Sequence, residues 1–255
     1  MLDVHPAHHA ATTWRDFFIH IATIVLGLLI AIGLEQTVEY FHHRHQVAET
    51  RDALRVEQEQ NKRSMPQRLA EFRAIVAAVQ NNLAVFHYLE LHTGAPAGTL
   101  PGKVNWHSVG GSFTHSVWDT GQQGSVLGLM PPTEVRDEAR IYRMLQVCND
   151  SFSAYRSANS EARAYTVDTA SVSDLSPQQV QEQIRLTRAV LNRLYRYGAD
   201  LRNLSGIYPQ FSPVPTVEEL AHIVHESPSE RQTIESKGLS DETRANAPDS
   251  SPLTN

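Results

Sequence analysis

The residues best equipped for chemistry are carboxylates and imidazoles in helical register. Glu39 and His42 are three positions apart, His42 and His45 three apart, and His45 and Glu49 four apart. On a helix these spacings put the side chains at neighbouring surface positions, as a metal site built on one helix requires. Glu39-x-x-His42 has the form that helices contribute to carboxylate-bridged di-iron bundles, and Glu219-x-x-His222 repeats it. Such a centre needs two more carboxylates on core-facing helices, and the apolar seams described below supply none. Glu39, His42, His45 and Glu49 are thus the metal-ligand candidates. Two other readings compete: a polar collar snorkelling at lipid headgroups, and a cluster titrating near neutral pH.

Other chemical patterns fail on spacing. Gly124-Ser125-Val126-Leu127-Gly128 lacks the Gly-x-Ser-x-Gly interval of a nucleophile elbow. Gly110-Gly111-Ser112 has no phosphate-binding Lys. His107 and His115 flank that glycine pair and, with Asp119, form a weak polar grouping that ordinary loop packing explains better. Cys148 is the lone cysteine, which excludes an internal disulfide and a cysteine-ligated zinc; beside Val147 it reads as a small packed residue. No catalytic residue and no cofactor is assigned.

The element that positions the histidines begins further upstream. Phe17 to Leu34 reads FFIHIATIVLGLLIAIGL, without a formal charge. As a helix it spans roughly 27 Å, close to the hydrocarbon thickness of a bilayer. A cleavable signal is disfavoured by the acidic, weakly basic start and by the helical sequence that continues past Ala31 and Gly33. The expectation is a single transmembrane helix over 17–34, after a tail over 1–16. One of its faces differs from the rest. His20, Thr23, Gly27 and Ala31 fall together between Asp16 and Glu35, and small residues every four positions permit close helix approach. These four are the candidate membrane-helix contact, predicting a homodimer. Arg15 on one side against Arg44 and Arg51 on the other barely decides orientation. A short tail left in the cytoplasm puts the soluble domain in the periplasm.

Beyond the anchor the chain reads as all-α, an antiparallel helical bundle. Residues 35–68 form a charged helical stalk without a continuous apolar face. Leu69, Phe72, Val76, Val79, Leu83 and Phe86 then recur at heptad-like spacing up to a break at Thr93-Gly94-Ala95-Pro96. An irregular stretch follows, pinned by Trp106, Val109 and Phe113, then a short helix over 116–130. Thr133 is read as the N-cap of a long helix presenting Val135, Ala139, Tyr142, Leu145, Phe152 and Tyr155 and reaching about Asp168. Ser176, Pro177 and Gln179 announce the last long helix through a capping box, with Val180, Ile184, Thr187, Leu191, Leu194 and Leu201 on its seam. The bundle is placed at 69–206. Residues 207–255 read as a Pro- and Ser-rich, largely disordered tail with one short helix over 216–224.

The 255 residues leave room for one soluble domain with a core, and the formal charge of −6 argues against nucleic acid as partner. Two stretches, WRDFFIHIATIVLGLLIAIGLEQTVEYFHHRH and SVWDTGQQGSVLGLMPPTEV, together with Ile141-Tyr142, resemble a family of uncharacterised bacterial single-pass membrane proteins, a domain of unknown function. Trp118, Gly124, Leu127, Leu129, Met130 and Pro131 carry the resemblance. It implies an inner-membrane location and supplies no catalytic residue. In the bottom-up reading Trp118 is a core anchor and Gly124 allows a close turn. The expected function is a non-enzymatic, membrane-anchored interaction, scaffold or signalling-accessory protein with an unidentified protein partner. The alternatives are a tethered metal-binding or redox enzyme using the stalk histidines, and an envelope sensor that binds a small ligand in the bundle.

Overall fold

The computed structural model describes residues 14–107, 110–167 and 171–223. Among them all regular structure is helical: α1 (Trp14–Arg63), α2 (Met65–Leu91), α3 (Ser116–Gln123), α4 (Pro132–Val167), α5 (Pro177–Ile207) and α6 (Val217–Ile223), with short 3-10 turns between. The N-terminal tail over 1–13, Val109, and the tail beyond 223 lie outside the described residues. The chain divides into two compact units, Met1–Arg55 with Val117–Val135, and Val56–Ser116 with Arg136–Asn255.

The first long helix barely pauses where Pro66 forecasts an interruption. Ser64 stays in right-handed helical conformation, its N–H bonding to Gln60 O at 3.1 Å and its carbonyl accepting from Arg68 N at 3.0 Å. Pro66 falls in the first turn of α2, where a missing N–H costs little. Trp14 to Leu91 is therefore effectively one helix of 78 residues, long and apolar enough near its start to cross a membrane. It ends where expected, at His92, with Gly94 at φ +76°.

In the first unit, Val47 and Leu54 of α1 are buried, as are Trp118 and Met130. Gly121 of α3 faces Leu127 so closely that a Cβ there would lie 3.3 Å from the leucine side chain. The Gly124 N–H closes onto Thr120 O at 2.9 Å, ending α3 before the 3-10 turn Val126–Leu129. The expected single piece over 116–130 is thus a helix plus a tighter turn. Arg51 of α1 grips Glu134 of α4 with two 2.6 Å bonds. Thr133 is not the cap of α4. Pro132 is the first helical residue, the position where its fixed φ fits best.

The second unit holds the main core. Phe72 on α2 and Phe152 on α4 both contact Tyr197 on α5, with ring centroids 6.2 and 5.2 Å apart. Further along, Arg188 of α5 donates to His87 at 3.4 Å and Gln181 to Glu90 at 2.5 Å. As α2 numbers rise α5 numbers fall, so these helices are antiparallel. Gln183 of α5 reaches Ala162 O on α4 at 3.2 Å, which sets α4 antiparallel to α5 as well. Helices α2 and α4 consequently run the same way. Gly198 is the close-approach point: a Cβ there would lie 2.5 Å from Leu220 and 2.8 Å from Phe72.

All six α5 seam residues are buried, and the capping box of Ser176 and Gln179 is formed. On α2, five of the six named seam residues are buried and Val76 is half-buried. Two boundaries move. The stalk is not solvated all round, since Glu57, Asn61 and Met65 are buried beyond Leu54. The presumed tail also begins later: Phe211, Leu220 and Ile223 are buried, and α6 packs on α5.

Candidate functional site

The stripe on the anchor stays on one open helical face. His20 Nδ1 lies 2.9 Å from Asp16 O, and Thr23 Oγ1 donates to Ile19 O at 2.9 Å. One ring nitrogen of His20 and the Thr23 hydroxyl are thereby paired within their own helix. A Cβ added at Gly27 would meet nothing within 4 Å, and Ala31 is exposed. Around this stripe the helix shows Leu28, Leu29 and Leu34 each at 60% exposure or more. Aromatic groups bracket the apolar run. Trp14 packs with Phe17 and Phe18 at 5.4 and 5.3 Å, and Tyr40 with Phe41 at 5.7 Å.

The stalk histidines diverge. His42 Nε2 lies 3.0 Å from Gln46 Nε2, His43 lies 3.8 Å from Glu39, and His45 lies 3.1 Å from Glu49. Of the four metal-ligand candidates, only His45 and Glu49 meet. Glu39 pairs with His43, which spacing alone did not single out. Among the described residues no three His, Cys, Asp or Glu side chains gather as a metal would need. The second Glu-x-x-His is spent on architecture. Glu219 completes a capping box with Thr216, at 2.7 and 3.1 Å, and accepts from Arg73 at 2.6 Å, an interaction that holds its carboxyl below the usual range.

No family model matches the chain, and no curated protein or solved structure matches it.

In the second unit a strap formed by residues 103–107 and 110–116 is held by side-chain amides. Asn82 accepts from Asn105 N–H at 2.8 Å and donates to its carbonyl at 2.9 Å. Asn149 treats Phe113 the same way at 2.7 and 3.0 Å. Asn61 does so with Thr114 at 3.0 and 2.8 Å, and also accepts from its hydroxyl at 3.1 Å. A side-chain amide has one acceptor oxygen and donor hydrogens in one plane, so it can pair with a peptide unit much as a neighbouring strand would. Between these clamps Arg68 lies 4.0 Å over the Phe113 ring and donates to the carbonyls of Gly111 and Ser112. Tyr155 and Asn159 both donate to His107 O, at 2.9 and 3.4 Å. His107 thus contributes its backbone rather than its ring. Gly110 has φ +121°, and a Cβ there would lie 2.7 Å from Phe152, so the glycine answers geometry and not phosphate.

At the end of this strap Glu57 is 4% exposed. It accepts from Ser116 Oγ at 3.0 Å and from Tyr142 OH at 2.9 Å. Burial and the neighbouring carboxylate push the Tyr142 phenol far up, keeping it a neutral donor. Burial pushes the Cys148 thiol up to about 12, which suits a packed residue and not a nucleophile. Asp200 is raised by desolvation, opposed by a hydrogen bond from Ser151 and by Arg196.

Sequence reasoning missed Asn61, Asn82, Asn149 and Glu57. Their only signal was polarity at positions where the heptad pattern expects an apolar residue. Among the described residues three buried side-chain atoms, Asn159 Oδ1, Ser173 Oγ and Gln183 Oε1, have no partner.

Proposed function

We propose that this protein is a single-pass bacterial inner-membrane protein whose helical bundle works by binding other proteins and not by catalysis. One observation carries the reading. The helix that lines the bundle core is continuous with an apolar segment that is exposed along its length. Exposed leucines and isoleucines in such number need a lipid or protein partner. Catalysis is disfavoured because the buried polar groups are mostly spent on holding the chain to itself. The periplasmic side for the bundle, kinship with the uncharacterised single-pass family, and homodimerisation through His20, Thr23, Gly27 and Ala31 belong to the same proposal. Resistance of the full chain to alkaline carbonate extraction, with protease access to a C-terminal tag only after the outer membrane is opened, is the expected result. Release by carbonate sinks the anchor. In a membrane association assay Gly27→Leu is expected to lower dimer several-fold, and an unchanged dimer removes the pairing.

The unpartnered Asn159 Oδ1 and Gln183 Oε1 favour a second reading, a sensor that takes a small hydrogen-bond donor between α4 and α5. Asn159→Leu is expected to abolish any thermal shift given by such a donor. A panel of polyols and amines that never shifts the wild type removes the idea.

A further inference from the structure

The segment His42, His43, Arg44 and His45 gives four consecutive donor-bearing side chains, at 100° steps around α1. Successive steps of that size send them to all sides of the helix. Their partners confirm the divergence: His42 turns to Gln46, His43 to Glu39 and His45 to Glu49. Divergent donors cannot close on one ion, but they suit an acceptor that surrounds the helix as a layer. Location selects that layer. From Trp14 to Phe41 the helix covers roughly 40 Å, the thickness of a bilayer with its headgroups. Aromatic groups stand at both ends of that length, as they do at membrane interfaces. The four residues occupy the next turn. Cα–Cβ bonds lean toward the helix N-terminus, the bilayer side in this reading, and His43 reaches back to Glu39 while His42 and His45 pair with Gln46 and Glu49. His43 and His45 remain 40% and 72% exposed, and His42 and Arg44 are exposed too.

We infer that His42, His43, Arg44 and His45 form a collar that binds the phosphate groups of phospholipids around the C-terminal end of the anchor. This rests on the membrane reading above and adds the ligand chemistry: a phosphate oxygen accepting from imidazole N–H and guanidinium N–H groups. The collar fixes the depth and lipid surroundings of the helix as it emerges.

The test uses the full chain in bilayers of equal parts phosphatidylglycerol and digalactosyldiacylglycerol, the second lipid having no phosphate. After mild detergent extraction, lipid retained per protein is measured by native mass spectrometry. Wild type is expected to keep phosphatidylglycerol over the sugar lipid by at least fivefold. A variant with His42→Gln, His43→Gln, Arg44→Gln and His45→Gln is expected to lose that preference while keeping helix content and carbonate resistance. Equal retention of the two lipids by wild type, or an unchanged preference in the variant, overturns the collar and leaves the anchor standing. A preference abolished by a chelator overturns it in favour of a metal ion. Carbonate extraction of wild type removes the anchor and the collar together.

Discussion

The two ends of the long N-terminal helix are built inside out relative to each other. Between Phe17 and Phe41 it exposes Ile24, Leu26, Leu29 and Phe41 at 60–66%. Between Glu57 and Leu89 it buries Phe72, Val79 and Phe86, and with them the polar Glu57, Asn61 and Asn82. Helical geometry is shared, so the surroundings make the difference. On the exposed apolar stretch His20 and Thr23 bond to carbonyls of their own helix. In a water-facing bundle a buried amide is tolerated once its donors and acceptors are matched. The three asparagine clamps are matched by peptide units of the strap.

The largest test of this contrast is truncation on each side. Phe72→Ala removes a ring that touches Tyr197 and packs over Gly198, and is expected to cost about 3–5 kcal/mol in denaturant unfolding of the bundle. Leu28→Ala, at 60% exposure, is expected to leave that unfolding free energy unchanged. Equal losses from the two would erase the distinction.

Asn61→Leu comes next. It strips the peptide unit of Thr114 of its pairing while keeping side-chain size, and should cost about 2–3 kcal/mol. Limited proteolysis within 103–116 should speed up at the same time. Loss of stability with unchanged cleavage would mean the amide supports the helices and not the strap.

Asp200 gives a smaller, pH-dependent effect. Its folded-state value is raised by desolvation, so the folded chain holds the proton more tightly than the unfolded one. Its contribution is fully present below the unfolded value of about 3.9 and declines as pH rises through the raised folded value. Asp200→Asn removes the ionisable group at nearly unchanged size and should gain stability at pH 7, by less than about 1 kcal/mol because the site is part-solvated. Urea titrations at pH 3.5 and pH 7 check the sign; a gain at the lower pH alone contradicts it.

Smallest is Glu219→Gln, which keeps an acceptor for the α6 cap and removes the charge opposite Arg73. A loss under about 1 kcal/mol is expected, as for exposed ion pairs generally. Glu219→Ala should cost more, because the acceptor for the Thr216 N–H goes as well. Equal losses would mean that the cap contributes nothing.

Legibility in the sequence followed periodicity. The long apolar start of the first helix, the α2 and α5 seams, the Ser176 capping box and the break after Leu91 are all readable, because each rests on a pattern within a few residues. The start of α4 was misplaced by reading Thr133 as a cap where Pro132 already fits the first helical turn. The stalk reads as solvated because its buried face alternates Leu54 and Met65 with Glu57 and Asn61, and a polar residue on a seam reads as solvent. The metal spacing at Glu39, His42, His45 and Glu49 was real as spacing. Neighbours at three and four positions nevertheless include Gln46 and His43, and these took His42 and Glu39.

By itself the sequence determined that this chain is helical, where its longest helices run, and that one end of the first is fit for a bilayer. Those properties follow from local composition and repeat. Tertiary structure alone decided that α2 and α4 run the same way, that 207–223 belongs to the bundle, and that the peptide units of Asn105, Phe113 and Thr114 are held by asparagines. Each depends on groups far apart in the chain meeting at hydrogen-bond distance, and no local pattern encodes which distant peptide unit a side-chain amide will find.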